Sequence, residues 1–301
     1  MINHIGQIPA AAALKFSNKD ALVFEGQTFS FNQINDLVER AAGGLSDLGI
    51  VQGDTVTLYA ENSWEWIVSY YAIARLGAVI NPVNTMLTPN EIEYVVKDCG
   101  AKAIIASPEK VDAIIRVKNV SDVKDIISFG ADVANGAVSF DALIDANILP
   151  PKPVEIDPAA LSTIGYTSGT TGHPKGAMQS HRAVITNSAM TSQIQMRGAN
   201  DCVVSALPCP HVYANVIMMS MMMFGSKLVL HRAFDVDLAF ADITAHKATI
   251  FDGVPAMYMF MLNSPAIKNA NLSSLTRCYV GGQTMPVATM QAVEVAFKVP
   301  L

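Results

Sequence analysis

Residues 167–176 read Thr-Ser-Gly-Thr-Thr-Gly-His-Pro-Lys-Gly, directly after an apolar run from Ser162 to Tyr166. Thr167, Ser168, Thr170 and Thr171 offer four hydroxyl donors, and Lys175 adds a full positive charge. Gly169, Gly172 and Gly176 lack a Cβ, so the backbone can approach an anion closely and turn its N–H groups inward. Donors, glycines and a cation in this order suit the oxygens of a polyphosphate. His173 is the least committed position and is expected to be solvated.

The spacing from Gly169 to Lys175 almost fits the Walker A pattern GxxxxGK[ST]. Pro174 stands where that pattern has its second glycine, and Gly176 replaces the hydroxyl residue that would hold Mg²⁺. A Gly/Ser/Thr-rich surface turn would account for flexibility, but not for the ordered series ending in Pro-Lys-Gly. The segment YTSGTTGHPKG, Tyr166 to Gly176, resembles the signature of the adenylate-forming superfamily of acyl-CoA synthetases, luciferases and peptide-synthetase adenylation domains. It is closest in pattern to the acyl-CoA synthetases.

The resemblance runs over nearly the whole chain and implies roles for other residues. LPCPHVYAN, Leu207 to Asn215, is similar to the segment beside the acyl and adenylate sites, which makes His211 a catalytic and pocket-lining candidate; a structural histidine is the alternative. TIFDGVPAMYMFML resembles the strand and Val-Pro turn that line the carboxylate pocket, so Phe251, Asp252 and Gly253 are specificity candidates. An ionised Asp252 in an apolar tunnel is costly without a partner. RCYVGGQTMP resembles the turn that closes over adenine, assigning Gly281, Gly282 and Gln283 to nucleotide binding, with an ordinary strand-to-helix turn as the alternative. The run from Ile217 to Gly225 is read first as core helix and second as a pliable acyl wall. Trp64 and Trp66 are packing aromatics; His181 is a helix-start cap, a surface residue or a ligand neighbour.

The implied reaction has two steps. A carboxylate attacks the α-phosphorus of ATP, pyrophosphate leaves, and the thiol of coenzyme A then attacks the mixed anhydride, with Mg²⁺ neutralising the phosphates. Lys175 and the residues of the 167–172 loop would steady the leaving group, since this chemistry demands positioning and charge stabilisation. The family's later Tyr-Gly-x-Thr-Glu motif, ribose aspartate, hinge arginine and C-terminal lysine have no counterparts in the sequence. The fold expected is therefore the α/β N-terminal domain of the adenylate-forming fold, incomplete at its C-terminus, without the later barrel and mobile domain. The expectation for this chain alone is inactivity and, from uncovered sheet edges or apolar helix faces, either self-association to a homo-oligomer or a rearranged tail. Competing classes are an NTPase, an adenylating enzyme with another acceptor, and a non-catalytic nucleotide- or acyl-binding module.

Short strand-like runs alternate with helical segments, the pattern of mainly parallel sheets flanked by helices. Ser30 with Gln33, and Thr88 with Glu91, have capping-box spacing, and Pro89 suits the first helical position. The spacing predicts strands at 56–59, 78–80, 102–106, 125–129, 162–166, 203–207, 227–230, 249–251 and 277–280, and a helix from near Ser180. Four prolines in LPPKPVEIDP place a boundary between an α/β lobe at 1–150 and a second, loop-bearing lobe at 151–301.

Composition excludes several classes. With 26 acidic and 20 basic residues among 301, no general field gathers nucleic acid. No apolar stretch approaches the ~20 residues that span a bilayer, and no basic residue precedes the N-terminal alanine run, against a secretory signal. Cys99, Cys202, Cys209 and Cys278 lack metal or dithiol spacing and read as buried free thiols, so a cytoplasmic setting is expected. No protein metal ligands are predicted.

Overall fold

The computed structural model describes residues 2–131, 133, 136–153, 155–167 and 174–301. Ser168, Gly169, Thr170, Thr171, Gly172 and His173, all part of the sequence motif, lie outside the described residues.

Two sheets carry the fold. The first has six strands and contains β1 (Asp20–Phe24), β2 (Gln27–Ser30), β10 (Cys202–Ser205), β11 (Lys227–Leu230), β12 (Ile250–Gly253) and β13 (Arg277–Val280), in the order β13-β12-β10-β11-β1-β2. The second has seven and contains β3 (Thr55–Tyr59), β4 (Val79–Pro82), β5 (Ala101–Ala106), β6 (Asp125–Ser128), β7 (Val138–Ser139), β8 (Leu161–Thr167) and β9 (Lys175–Ser180), in the order β7-β6-β5-β3-β4-β8-β9. Pairing is parallel except in the hairpins β1–β2 and β8–β9.

Helices α1 (Ile8–Phe16), α2 (Phe31–Asp47), α3 (Trp64–Arg75) and α8 (Val212–Phe224) contribute to the main core, which faces strands of both sheets. Outside the first sheet, α9 (Val236–Ala245), α10 (Pro255–Asn263) and α11 (Val287–Phe297) cover a second cluster; outside the other, α4 (Pro89–Asp98) and α5 (Pro108–Ile114) cover a third. Two further helices, α6 (Phe140–Asp145) and α7 (His181–Ile194), complete the set. The interior strands are covered on both faces, as parallel sheets require: on β10, Val203 joins the main core while Cys202 and Val204 face the outer cluster. Period-two alternation assigns the two directions.

Both capping boxes form. The Ser30 hydroxyl accepts the Gln33 amide at 3.2 Å and Gln33 Oε1 accepts the Ser30 amide at 2.8 Å. Thr88 and Glu91 repeat the arrangement at the start of α4. The methionine run forms α8, where Met218, Met219, Met221 and Met222 are buried core.

The boundary expected at 150/151 does not divide the sheets. β8 joins the sheet of the first half, with Thr163 opposite Ile80, and β1 joins the sheet of the second, with Leu22 opposite Leu228. Parallel strands are completed by whichever chain segment reaches the open edge, however distant in sequence. The proline-rich linker is packed as a crossover: Arg75 donates to the Pro151 carbonyl at 3.3 Å, and Gly43 lies so close to the Ile148 carbonyl that a Cβ would stand 1.8 Å from it. α1, the β1–β2 hairpin and β9, which precedes α7, are elements beyond those that the spacing predicts.

Candidate nucleotide and acid site

The described ends of the Thr167–Gly176 motif lie on β8 and β9, with Thr167 on the first and Lys175 and Gly176 on the second. β8 is an interior strand next to β4, while β9 is the sheet edge, and its residues from Lys175 to Met178 are exposed. Thr167, the last residue of β8, and Lys175, the first of β9, are directly opposed. Gly176 is required there: a Cβ would lie 2.8 Å from the Ile164 side chain. Ser180 ends the hairpin and caps α7, its hydroxyl accepting the Ala183 amide at 3.2 Å.

Beside this hairpin lies a cavity of about 730 Å³. Its walls come from five places: Trp66 and Tyr70 on α3, Asn84 and Leu87 beyond β4, Thr163, Gly165, Tyr166, Thr167 and Pro174 on the hairpin side, Val184 and Asn187 on α7, and Pro208 to Val212 before and at the start of α8. The indole of Trp66 stacks on Tyr70 with centroids 5.6 Å apart. Burial pushes the Tyr70 phenol up to about 12, against the opposing effect of hydrogen bonds with Asn215 and Thr163. It is a neutral wall residue at pH 7.

His211 is the N-cap residue of α8 and makes no side-chain capping bond. Its amide donates to the Pro208 carbonyl at 2.9 Å and its carbonyl accepts from Asn215 at 3.0 Å, leaving the exposed ring at the cavity wall. Cys209 beside it is no nucleophile: it is 4% exposed, and burial pushes its thiol up to about 12.

Among the described residues, 251–253 and 281–283 do not line this cavity. Phe251 packs in the outer cluster, edge-on to Tyr258 at 5.3 Å. Gly253 points the same way, with a built Cβ 3.0 Å from the Phe251 ring. Asp252 is fully buried and has the partner that its burial demands: Arg197 donates to Oδ1 at 2.7 Å, and the Tyr213 hydroxyl donates to the same oxygen at 2.9 Å. Burial and the neighbouring Asp252 carboxylate both push the Tyr213 phenol well up, so it remains a donor. Gly281 continues the sheet, its amide donating to the Gly253 carbonyl at 3.3 Å, and lies against the Tyr213 ring, where a Cβ would come within 2.9 Å. Gly282 has φ +82° and turns the chain; Gln283 is exposed. Thus Thr167 and His211 share one cavity, while residues 251–253 and 281–283 form the ends of β12 and the β13 turn behind Tyr213.

His181 is neither surface residue nor cap. It is fully buried, accepts the Ile5 amide at Nδ1 (3.3 Å), and meets His4 edge-on at 5.7 Å. Burial, then His4, lowers its pKa to about 4. Among the described residues no group of three or more His, Cys, Asp and Glu side chains could hold a metal. No described helix is long and apolar enough to cross a membrane.

Sequence comparison matches residues 10–301 to the AMP-binding enzyme family. The chain belongs to that family. This AMP-binding enzyme chain is 30% identical, over 96% of its length, to an indoleacetate–CoA ligase of Aromatoleum aromaticum, of which it covers 56%. It is 27% identical, over 94% of its length, to a long-chain-fatty-acid–CoA ligase of Bacillus subtilis, of which it again covers 56%. Its fold superposes on an anthranilate–CoA ligase in complex with anthranoyl-AMP with a TM-score of 0.93 at 24% identity, covering 99% of this chain and 58% of that one. The chain spans about half the length of the curated relatives it matches. These relatives are acid–CoA ligases, and the acids they are named for differ in class.

Proposed function

We propose that this chain is the N-terminal part of an ATP-dependent carboxylate–CoA ligase for a fatty or related acid, working through an acyl-adenylate with release of AMP and pyrophosphate. The observation that carries the reading is the meeting of Thr167, Pro174 and His211 at one cavity, within a chain matched to the AMP-binding family along almost its full length. The cytoplasm is the setting that fits four unpaired thiols.

The residues present suit a polyphosphate. Lys175 is exposed and paired in register with Thr167, which places a cation and a hydroxyl donor on facing strand ends. On this reading Lys175 and the motif residues 167–172 restrain the departing pyrophosphate, and His211 flanks the acid. Gly281, Gly282 and Gln283 present backbone and amide groups to the nucleotide, and Asp252 acts by holding Tyr213 against Gly281. Mg²⁺ would enter with ATP and neutralise phosphate charge, and coenzyme A would supply the accepting thiol.

The test follows the carboxylate oxygen. With an acid labelled by ¹⁸O in both carboxyl oxygens, attack at the α-phosphorus leaves one label in AMP after the thioester forms. Label in AMP, with a coenzyme A thioester as the second product, supports the reading. Formation of ADP and unlabelled inorganic phosphate would sink it in favour of an NTPase.

A further inference from the structure

Asn62 lies between β3 and α3, at the end of the seven-stranded sheet, and is 3% exposed. Its Nδ2 donates to two carbonyls of the other sheet's loops, Leu207 and His231, each at 3.0 Å. Its Oδ1 accepts the Cys209 amide at 2.7 Å. Leu207 and Cys209 follow β10, and His231 follows β11, so one side chain ties the ends of two neighbouring strands to the opposite sheet. The tied segment, Leu207 to Cys209, leads directly into Pro210 and His211 in the cavity wall. Few other bonds hold it: Leu207 donates to the Ser205 hydroxyl at 3.2 Å, and His211 to Pro208.

The chemistry singles out asparagine. Two donors and one acceptor are needed on a short stem; aspartate has no donor when ionised, leucine has neither, and glutamine is a methylene too long. Burial makes each bond matter, because a carbonyl or amide left without a partner there bears its full desolvation cost.

We propose that Asn62 is a positioning residue: it sets the His211 loop in the cavity wall and thereby the acid site. The catalytic half of this statement rests on the ligase reading; the clamp itself does not. The experiment combines amide exchange of the folded chain with acid kinetics of the whole ligase, in Asn62→Ala and Asn62→Asp. In Asn62→Ala, the Cys209 amide is expected to exchange roughly tenfold faster or more, with amides of β5 unchanged, and the KM for the acid to rise more than kcat falls. Asn62→Asp keeps the acceptor for Cys209 but turns a carboxylate toward two carbonyls, which favours its protonated form. Its Cys209 protection, corrected for intrinsic exchange, should therefore recover between pH 7 and 5, whereas Asn62→Ala shows no recovery.

Unchanged Cys209 exchange in Asn62→Ala overturns the clamp. So does equal acceleration in β5, which would make Asn62 a general stability residue; a faster-exchanging loop with unaltered KM overturns the positioning role in the acid site. If the wild-type ligase shows no acid-dependent turnover, the ligase reading fails while the exchange result still decides the clamp.

Discussion

Acid should loosen this protein through a buried histidine. His181 opens α7 with its ring fully enclosed against His4 and the Ile5 amide, and burial followed by the His4 interaction lowers its pKa from 6.5 to about 4. His4 is lowered too, by burial first and the Arg75 guanidinium second, and Arg75 is itself paired with Glu39 at 2.9 Å. As pH falls, the unfolded chain takes up the imidazole proton before the folded one does. The contribution of His181 is therefore complete above pH 6.5 and is lost as pH falls from 6.5 toward 4. The gap corresponds to roughly 3 kcal/mol, a large share of the stability of a typical domain. The assay is urea unfolding of wild type and His181→Asn at pH 7.5, 6.5, 5.5 and 4.5. Asparagine keeps an acceptor for the Ile5 amide and does not titrate. The stability advantage of wild type over the variant should shrink by roughly 2–3 kcal/mol across this series. An advantage constant within about 0.5 kcal/mol would refute the assignment of a neutral, buried imidazole, because one pH unit of displaced titration is worth about 1.4 kcal/mol.

Other outcomes follow from single contacts. Arg197→Met strands the enclosed Asp252 carboxylate and should cost about 3–5 kcal/mol, while Arg197→Met with Asp252→Leu should recover most of it; denaturant unfolding of the double-mutant cycle measures the coupling. Gly225→Ala puts a Cβ at φ +80° and 2.4 Å from the Phe16 ring, so thermal unfolding should show a loss of about 1–3 kcal/mol. Burial raises Cys99 and Cys202 to about 11 and Cys209 and Cys278 to about 12, so an aromatic disulfide reagent at pH 8 should label the native chain slowly and all four thiols promptly in urea. Lys175→Ala in the whole ligase should weaken the ATP-dependent half-reaction by roughly 1.5–3 kcal/mol, with less effect on thioester formation from preformed acyl-adenylate; equal loss in both steps would argue against its place beside pyrophosphate.

What could be read from the sequence was mostly local. Ser30–Gln33 and Thr88–Glu91 are signals spanning three residues, and both capping boxes are present. Strand positions also followed from short apolar runs. Strand order did not, because β1 finds β11 and β8 finds β4 across long stretches of chain that carry no mark of the pairing. β9 carries no alternating pattern, because it is a sheet edge whose residues from Lys175 to Met178 are all exposed. In the site, the motif gave Thr167 and the following segments gave His211, which do meet at the cavity. The neutralisation of Asp252 was hidden, since Arg197 lies 55 residues away and Tyr213 39. Trp66 reads only as a packing aromatic and Tyr70 carries no mark, because the spacing of aromatic residues does not say which of them faces a void. Asn62 gave no signal, its partners being 145 to 169 residues distant.

Exchange of labelled pyrophosphate into ATP by the proposed ligase reports acid-dependent adenylate formation alone, without coenzyme A. Across short, medium, long and aromatic acids, exchange should require an acid, respond to its identity and fall in Lys175→Ala. Pyrophosphate exchange indifferent to every acid, or no exchange alongside ATP hydrolysis to ADP, would contradict the ligase reading.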